Sequence, residues 1–320
     1  MRILTLVPGG IGDQILFFPT LKDLKTQFPK ALIDVIVEPR AKAAYRVCAD
    51  VNEVLTFDYK DRNSMADYLN LLGVIRDREY DAALTLGQRW TVGLLLWLNG
   101  IPTRVGYRSP NAWFISHPVP LKTEQYAAHM YHDLLQGLGI KKPCPPVSID
   151  IPAQDLDWAQ GEKQRLELQT DGYILIHGGS SQLAQVKGID KIYPAIKWQI
   201  VIQDIQRQKP ELPIVLIKGP EDGVWSEQML KTCSNLKVTS PPDLGKLAAM
   251  IKDARLMLCT DSAPMHLAIA LLTPTIALFG PTSATKLIPP QNDQVIGIQS
   301  PTKAIADIVP ETILAKISNV

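Results

Sequence analysis

The chain of 320 residues is 46% hydrophobic and 20% charged, and its formal net charge is +1. This length predicts two domains of about 150 residues each, and the composition is typical of a globular protein. A net charge so near zero argues against a polybasic protein that captures nucleic acid by bulk electrostatics, so we expect no nucleic-acid partner.

Strands and helices are predicted to alternate along the first half of the chain. Apolar runs predict strands at residues 3–7, 32–37, 54–57 and 82–86, and helical spacing predicts helices at residues 12–28, 40–48 and 65–78. This alternation indicates a doubly wound parallel sheet. The proline-rich residues 143–146 predict a stiff linker at the end of this half.

The second half repeats the pattern. Strands are predicted at residues 173–177, 213–218, 236–239, 256–259 and 275–279, and helices at residues 194–208, 224–231, 244–252 and 265–272. We therefore predict an α/β protein with two Rossmann-like domains, residues 1–150 and 151–301, facing each other across a cleft. The remaining residues, 302–320, contain a predicted helix at about 302–318.

Four scattered cysteines form no Cys-x-x-Cys pair. They are Cys48, Cys144, Cys233 and Cys259. This spacing argues against a disulfide framework or a zinc knuckle and favours reduced thiols in the cytoplasm. Met1 leads directly into a strand, so we expect no signal peptide. Pro274 and Gly280 interrupt the uncharged residues 267–285, which predicts a helix and a strand instead of a membrane span.

A polar turn follows the predicted strand at residues 256–259. Asp261 and Ser262 stand where a helix N-cap belongs, and His266 falls in the first helical turn. N–H groups at such a helix start favour an anion. An ordinary capped helix would explain an isolated Asp-Ser pair. The additional Phe-Gly-Pro-Thr turn at residues 279–282, at the end of the next strand, favours a phosphate-bearing ligand.

Residues 261–266 (Asp-Ser-Ala-Pro-Met-His), taken with residues 279–282, closely resemble the nucleotide-sugar signature of the ADP-heptose:lipopolysaccharide heptosyltransferases, glycosyltransferase family 9. The family usually has Gly where this chain has Ala263, and the added methyl group limits how closely the backbone approaches a diphosphate. The resemblance implies a GT-B fold whose C-terminal helix packs back on the first domain. It also implies that Asp261, Ser262, Ala263 and His266 bind a nucleotide sugar.

A glycine-rich turn, Gly-Gly-Ile-Gly-Asp at residues 9–13, follows the first predicted strand. A dinucleotide site is one interpretation, with Glu38 as the ribose-binding acid, but Ile15 occupies the third glycine position of that fingerprint. An acid at a helix N-terminus is commonly a cap or a dipole partner. The resemblance implies instead that Asp13 is the general base of the transfer.

A second small turn, with Ser180 and Ser181, follows the strand at residues 173–177 and is suited to phosphate binding by N–H and hydroxyl groups. A generic Gly-Ser loop is equally consistent with these residues. The family carries such a turn close to a Lys-x-Trp-Pro segment, whose counterpart here begins at Lys191 and has Tyr193 in place of Trp. The resemblance implies that Lys191 neutralises the leaving diphosphate, with Lys187 as the alternative lysine.

Two further sets of polar residues are candidates for binding roles. Glu221 or Asp222 is placed to accept a hydrogen bond from a ribose hydroxyl, as an acid at this position does in the family, although a solvated loop acid is equally consistent. His129 and His132 have the spacing of a metal pair, but no carboxylates cluster beside them, which favours a helix-surface or acceptor-binding role. We expect no metal site, because no acidic Asp-x-Asp metal site is evident, and we expect no cofactor besides the donor.

The resemblance therefore implies inverting, metal-independent transfer of a sugar, heptose from ADP-heptose, to a hydroxyl group of a lipopolysaccharide-type glycan or glycolipid. We expect a cytoplasmic enzyme that reaches the inner face of the inner membrane peripherally. One alternative is a nucleotide-sugar epimerase of the same fold, which releases an altered sugar. Another is a nucleotide-sugar-binding protein without transfer, and an NAD-dependent oxidoreductase is third.

Overall fold

The structure is a computed structural model that describes residues 1–58, 64–168, 172–179, 188–290 and 292–317. The chain forms two compact units, Met1–Asp150 and Ile151–Val320.

The first unit contains a six-stranded sheet in the order β3-β2-β1-β4-β5-β6, in which every neighbouring pair is parallel. Its strands are β1 (Arg2–Val7), β2 (Leu32–Val37), β3 (Glu53–Thr56), β4 (Ala82–Thr85), β5 (Thr103–Tyr107) and β6 (His117–Val119). Its α-helices are α1 (Ile11–Gln27), α2 (Met65–Arg76), α3 (Trp90–Leu98) and α4 (Ala127–His132).

The second unit contains another parallel six-stranded sheet, in the order β12-β11-β10-β7-β8-β9. Its strands are β7 (Ile174–His177), β8 (Ile214–Ile217), β9 (Lys237–Thr239), β10 (Leu256–Thr260), β11 (Thr275–Phe279) and β12 (Val295–Gln299). Its α-helices are α5 (Ala153–Arg165), α6 (Ala195–Gln208), α7 (Gly223–Thr232), α8 (Leu244–Lys252), α9 (Ala263–Ala270), α10 (Ala284–Leu287) and α11 (Pro310–Ile317).

Burial on both faces explains why the predicted strands are apolar runs. In the second unit Leu258 of β10 lies between Ile176 of β7 and Ile276 of β11, and all three are buried. Parallel sheets covered by helices on both faces require such continuous apolar strands. The predicted α/β class with doubly wound parallel sheets is therefore confirmed.

Several elements differ from the sequence predictions. Strands β5 and β12 were not predicted because Gly106 and Gly297 interrupt their apolar runs. Strand β6 has only three residues and contains Pro118, which is tolerated at a sheet edge. The helix predicted at residues 40–48 is a 3₁₀ helix, Pro39–Val47. The last helix begins at Pro310 and not at residue 302, because a separate 3₁₀ turn, Ile305–Asp307, precedes it. Proline favours the first position of a helix.

The final helix, α11, contributes to the core of the second unit. Its Ile313 and Ile317 are buried in the same hydrophobic cluster as Trp198 of α6 and Leu278 of β11. Among the described residues, no helix combines the length and the apolar character that a membrane span requires.

Candidate functional site

The Asp13 carboxylate is held at the carboxyl end of β1 by two donors. Gly10 N–H donates to Oδ2 at 2.8 Å, and the Tyr131 hydroxyl donates to Oδ1 at 3.0 Å. Burial, followed by the charge of Asp13 and this hydrogen bond, raises the pKa of Tyr131 well above its ordinary value, so the hydroxyl stays protonated. Asp13 is thereby fixed as a hydrogen-bond acceptor at the third residue of α1.

Gly9 allows this arrangement by its backbone and by its lack of a side chain. Its φ of +121° is a conformation that other residues rarely adopt, and an added Cβ would lie 2.3 Å from Asp13 Oδ2. Glu38 and Ile15, the other residues considered for a dinucleotide site, make different contacts. Glu38 accepts a hydrogen bond from Arg40 Nε at 2.8 Å, and Ile15 is fully buried in the core.

In the second unit, Asp261 lies directly after β10 and is 6% exposed. Lys191 Nζ donates to Asp261 Oδ2 at 2.5 Å. Tyr193 anchors the segment that carries this lysine, because its ring packs edge-on against Trp198 and its hydroxyl donates to Ile308 O at 2.8 Å. The structure thus joins two of the predicted site residues, which lie 70 positions apart in the sequence.

The remaining predicted residues around α9 lie where the sequence places them. Ser262 is the N-cap, Ala263 is the first helical residue and His266, the fourth, is buried. The Phe-Gly-Pro-Thr turn follows the adjacent strand β11, and Asp261 N–H donates to Leu278 O of that strand at 3.2 Å. Ser180, Ser181 and the alternative lysine, Lys187, lie outside the described residues.

A buried hydrogen-bond chain, which sequence reasoning missed, connects three turns of the second unit. His177 Nε2 lies 3.0 Å from Asp222 Oδ2, and His177 Nδ1 lies 3.1 Å from Ser262 Oγ. Gly219 N–H also donates to Asp222 Oδ2 at 2.8 Å. We call His177, Asp222 and Ser262 the His177 chain. His177 ends β7, and its position at the carboxyl end of a strand was the available signal.

The protons available to the His177 chain restrict which of its groups can donate and which must accept hydrogen bonds. When Ser262 donates its only hydroxyl proton to Thr260 O, 3.1 Å away, it must accept a proton from His177 Nδ1. Since Asp222 accepts from Nε2, both ring nitrogens then carry protons and the imidazole is cationic. When the ring is neutral, Ser262 must donate to Nδ1 instead. The charge of His177 therefore sets the direction of the Ser262 hydroxyl.

Asp222 has a structural role within the His177 chain. Its side chain is 7% exposed, whereas Glu221 beside it is exposed. Burial acts to raise the pKa of Asp222, but the hydrogen bond and charge of His177 and the Gly219 N–H together lower it below the ordinary value. A Cβ at Gly179 would lie 1.7 Å from Asp222 Oδ1, so the backbone after β7 packs directly on this carboxylate. Of the two acids considered for a ribose, Glu221 is the accessible one.

Replacing His177 with Phe should lower the free energy of unfolding by about 1.5–3 kcal/mol at neutral pH, because a buried carboxylate loses a charge-assisted hydrogen bond. A carboxyl whose pKa is lowered by folding stabilises the native state above its unfolded-state pKa of about 4, and this contribution is lost as the pH falls through the lowered value. Denaturant unfolding of the wild type and His177→Phe across pH should therefore show a difference that shrinks on acidification. A pH-independent difference would contradict a charge-assisted contact.

The paired histidines of α4 contact different partners. His132 is 4% exposed and its Nε2 lies 2.8 Å from Asp23 Oδ2 of α1, so the predicted helix-surface role is wrong for this residue. Its ring is occupied in packing α4 against α1. His129 packs edge-on against the Tyr126 ring instead. Within the described ranges, no three His, Cys, Asp or Glu side chains are grouped so that they could hold a metal ion.

Two parallel six-stranded sheets, with polar turns at the carboxyl ends of their strands, match the GT-B class of fold. The sequence model of glycosyltransferase family 9 (heptosyltransferase) matches residues 69–317, most of the chain, and the chain belongs to this family. The family and the glycosyltransferase class predicted from the turns after β10 and β11 are therefore confirmed. Asp13 lies before the matched residues, so its role rests on other observations.

Individual relatives span most of the chain. The photosynthetic NDH subunit of subcomplex B 1 from Arabidopsis thaliana chloroplasts is 26% identical over 340 aligned positions, covering 96% of this chain and 71% of that protein. Lipopolysaccharide heptosyltransferase 3 of Escherichia coli is 26% identical over 292 positions, covering 85% of this chain and 81% of that protein.

Solved structures show the same fold. The crystal structure of the family 9 glycosyl transferase from Veillonella parvula superposes with a TM-score of 0.83 at 21% identity, covering 99% of this chain and 96% of that one. A UDP-GlcNAc 2-epimerase from Neisseria meningitidis, bound to UDP-GlcNAc, gives a TM-score of 0.54 at 14% identity, covering 99% and 92%. The epimerase is similar in fold alone and is the more distant of the two.

Proposed function

We propose that this glycosyltransferase moves heptose from ADP-heptose to a hydroxyl group of a lipopolysaccharide-type glycan, with inversion at the anomeric carbon. The observation that carries the proposal is the contact of Lys191 with Asp261, the first residue of the family signature, at the carboxyl end of β10. Lys191 places a cation for a diphosphate at the carboxyl ends of the parallel strands, where α/β proteins bind nucleotides.

Donor binding is assigned to the second unit. Lys191 neutralises the diphosphate, together with Ser180 or Ser181 and the positive end of α9, which begins at Ala263. Asp261, Ser262 and His266 hold the donor at the same strand end, and the exposed Glu221 accepts a hydrogen bond from the ribose. The proposed transfer uses no metal ion and no cofactor, since these groups provide the required positive charge.

Asp13 is assigned the role of general base. The acceptor hydroxyl attacks the anomeric carbon and gives its proton to the carboxylate as the new C–O bond forms. The bond from the anomeric carbon to the diphosphate oxygen breaks at the same time, and ADP leaves with that electron pair. Attack from the face opposite the leaving group inverts the anomeric configuration. The donors Gly10 and Tyr131 fix the carboxylate for this step.

We further propose that the acceptor is a glycolipid and that the enzyme acts from the cytoplasm, associated peripherally with the inner face of the inner membrane. The name of the Escherichia coli relative, a lipopolysaccharide heptosyltransferase, supports this acceptor class. Free cysteine thiols, with Cys233 and Cys259 buried, agree with a reducing compartment.

Incubation of the purified protein with ADP-heptose and a heptose-free lipopolysaccharide acceptor should release ADP only when both substrates are present. The measurement follows ADP, free sugar and the glycosylated acceptor separately, and NMR of the product gives its anomeric configuration. UDP-GlcNAc serves as the comparison donor. Acceptor-dependent ADP release with an inverted product supports the proposal.

The alternatives give different results in the same assay. An altered sugar formed without acceptor would indicate an epimerase. Calorimetric binding of ADP-heptose without any turnover would indicate a nucleotide-sugar-binding protein, and one relative is named as a subunit of a larger assembly, the photosynthetic NDH. Either result contradicts sugar transfer by this chain.

A further inference from the structure

Four exposed apolar side chains lie on α3 and on the segment that follows β5. Trp90 is 46%, Trp97 51%, Leu98 47% and Trp113 77% exposed. We call these residues the tryptophan surface. Single exposed apolar residues are common on proteins, but a contiguous group of them marks an interaction site.

The tryptophan surface is continuous because residues 108–116 pack along α3. The Trp97 and Phe114 rings lie 5.6 Å apart between centroids. A Cβ added to Gly93 would lie 3.1 Å from Phe114 Cβ, so the two segments are in direct contact at the middle of the helix. Trp90 and Ala112 line one shallow pocket at the other end of α3. Trp113 therefore lies between these two contacts.

The charge of this region has one sign. No Asp or Glu occurs between Asp81 and Glu124, whereas four basic residues do: Arg89, Arg104, Arg108 and Lys122. Arg89 and Arg108 are exposed. Arg104 is partly buried, and its Nε donates to Phe114 O at 2.7 Å, which fixes the segment that carries Trp113. An anionic surface is the complementary partner.

We propose that the tryptophan surface docks this protein onto an anionic phospholipid bilayer. Indole rings favour the headgroup level of a membrane, where their apolar body and polar N–H are both accommodated. Arg89 and Arg108 add attraction to anionic headgroups. With nine residues, α3 is too short to span a bilayer and instead lies along its surface.

Membrane docking by this surface rests on the proposed function in one respect, because a glycolipid acceptor requires the enzyme to reach a membrane. The surface itself belongs to the first unit and includes none of the residues assigned to sugar transfer. Vesicle binding and sugar transfer can therefore be measured independently.

The test is co-flotation of the full chain with phosphatidylcholine vesicles that contain phosphatidylglycerol. Trp97→Ser/Trp113→Ser should reduce binding to these vesicles by about tenfold or more, because two large apolar side chains no longer enter the interface. Met65→Ser/Leu69→Ser is the matched control, since both residues are exposed, at 75% and 60%, on α2 of the same unit. The control should bind like the wild type.

A charge variant provides a second, independent readout. Arg89→Gln/Arg108→Gln should keep weak binding to pure phosphatidylcholine vesicles but lose the preference for phosphatidylglycerol, and added salt should have the same effect on the wild type. Equal thermal unfolding midpoints of all variants would show that the fold is unchanged, as expected for exposed side chains.

Three results would overturn the inference. In the first, the wild type fails to float with phosphatidylglycerol vesicles. In the second, the tryptophan variant floats as well as the α2 control. In the third, vesicle binding is absent and the wild type forms a dimer in light scattering that the tryptophan substitutions dissociate. The last result would assign the surface to a protein partner. Transfer to a water-soluble acceptor glycan without vesicle binding contradicts only this inference, whereas vesicle binding without transfer contradicts only the proposed function.

Discussion

Replacing Asp13 with Asn should lower kcat for sugar transfer by about a hundredfold to ten-thousandfold, the range that a positioned general base contributes. A sugar hydroxyl is a poor nucleophile while it keeps its proton, and the amide cannot accept that proton. Donor binding should remain close to that of the wild type, because the groups assigned to the donor belong to the second unit. The measurements are the kcat of transfer and calorimetric titration with ADP.

The structure makes Asp13→Asn a clean substitution. The amide oxygen can accept from Gly10 N–H, and the amide nitrogen can donate to the Tyr131 oxygen, which accepts as well as donates. The lost interaction of the charge with the N-terminus of α1 should cost only about 0.3–1 kcal/mol of stability. The variant should therefore remain folded at the assay temperature.

Tyr131→Phe is the matched control for Asp13→Asn. It removes one of the two hydrogen bonds to the carboxylate but leaves the base in place, so kcat should fall much less than in Asp13→Asn. Wild-type turnover by Asp13→Asn would show that Asp13 only caps α1 and that the base is another group. Equal losses in both variants would assign the effect to the local structure around α1.

Replacing Lys191 with Met should weaken ADP binding by about tenfold to a hundredfold, the consequence of losing a charge-assisted contact worth roughly 1.5–3 kcal/mol. Methionine keeps the length and apolar stem of the side chain. The substitution also leaves the buried Asp261 carboxylate without its cation. Removing one partner of a buried ion pair lowers the free energy of unfolding by about 3–5 kcal/mol. The loss in Lys191→Met should lie at or below the low end of this range, because Lys191 is 20% exposed.

The double variant Lys191→Met/Asp261→Asn separates binding from stability. It removes both charges, so denaturant unfolding should recover most of the stability lost in Lys191→Met, while ADP binding stays weak. Lys252→Met, at an exposed lysine at the end of α8, is the control and should bind ADP like the wild type. Wild-type affinity for ADP in Lys191→Met would show that Lys191 does not bind the donor and would leave Lys187 as the candidate.

Local patterns in the sequence were sufficient for the central strands of both sheets. β1, β10 and β11 are continuous apolar runs, because strands covered on both faces need apolar side chains in succession. The 3₁₀ conformation of residues 39–47 and the edge strand β6 were not predictable in the same way. Short elements with mixed polarity carry no distinct period, and their conformation depends on packing against neighbours.

The sequence by itself determined the fold class, the family and the turns that carry Asp13 and Asp261, because helix starts and strand ends are local signals of residue type and spacing. Only the tertiary structure decided what these side chains contact. Tyr131 and Asp13 are 118 positions apart, and Asp222 and Ser262 lie 45 and 85 positions from His177. Strand order and helix packing bring such residues together, and neither can be derived from the spacing of residues along the chain.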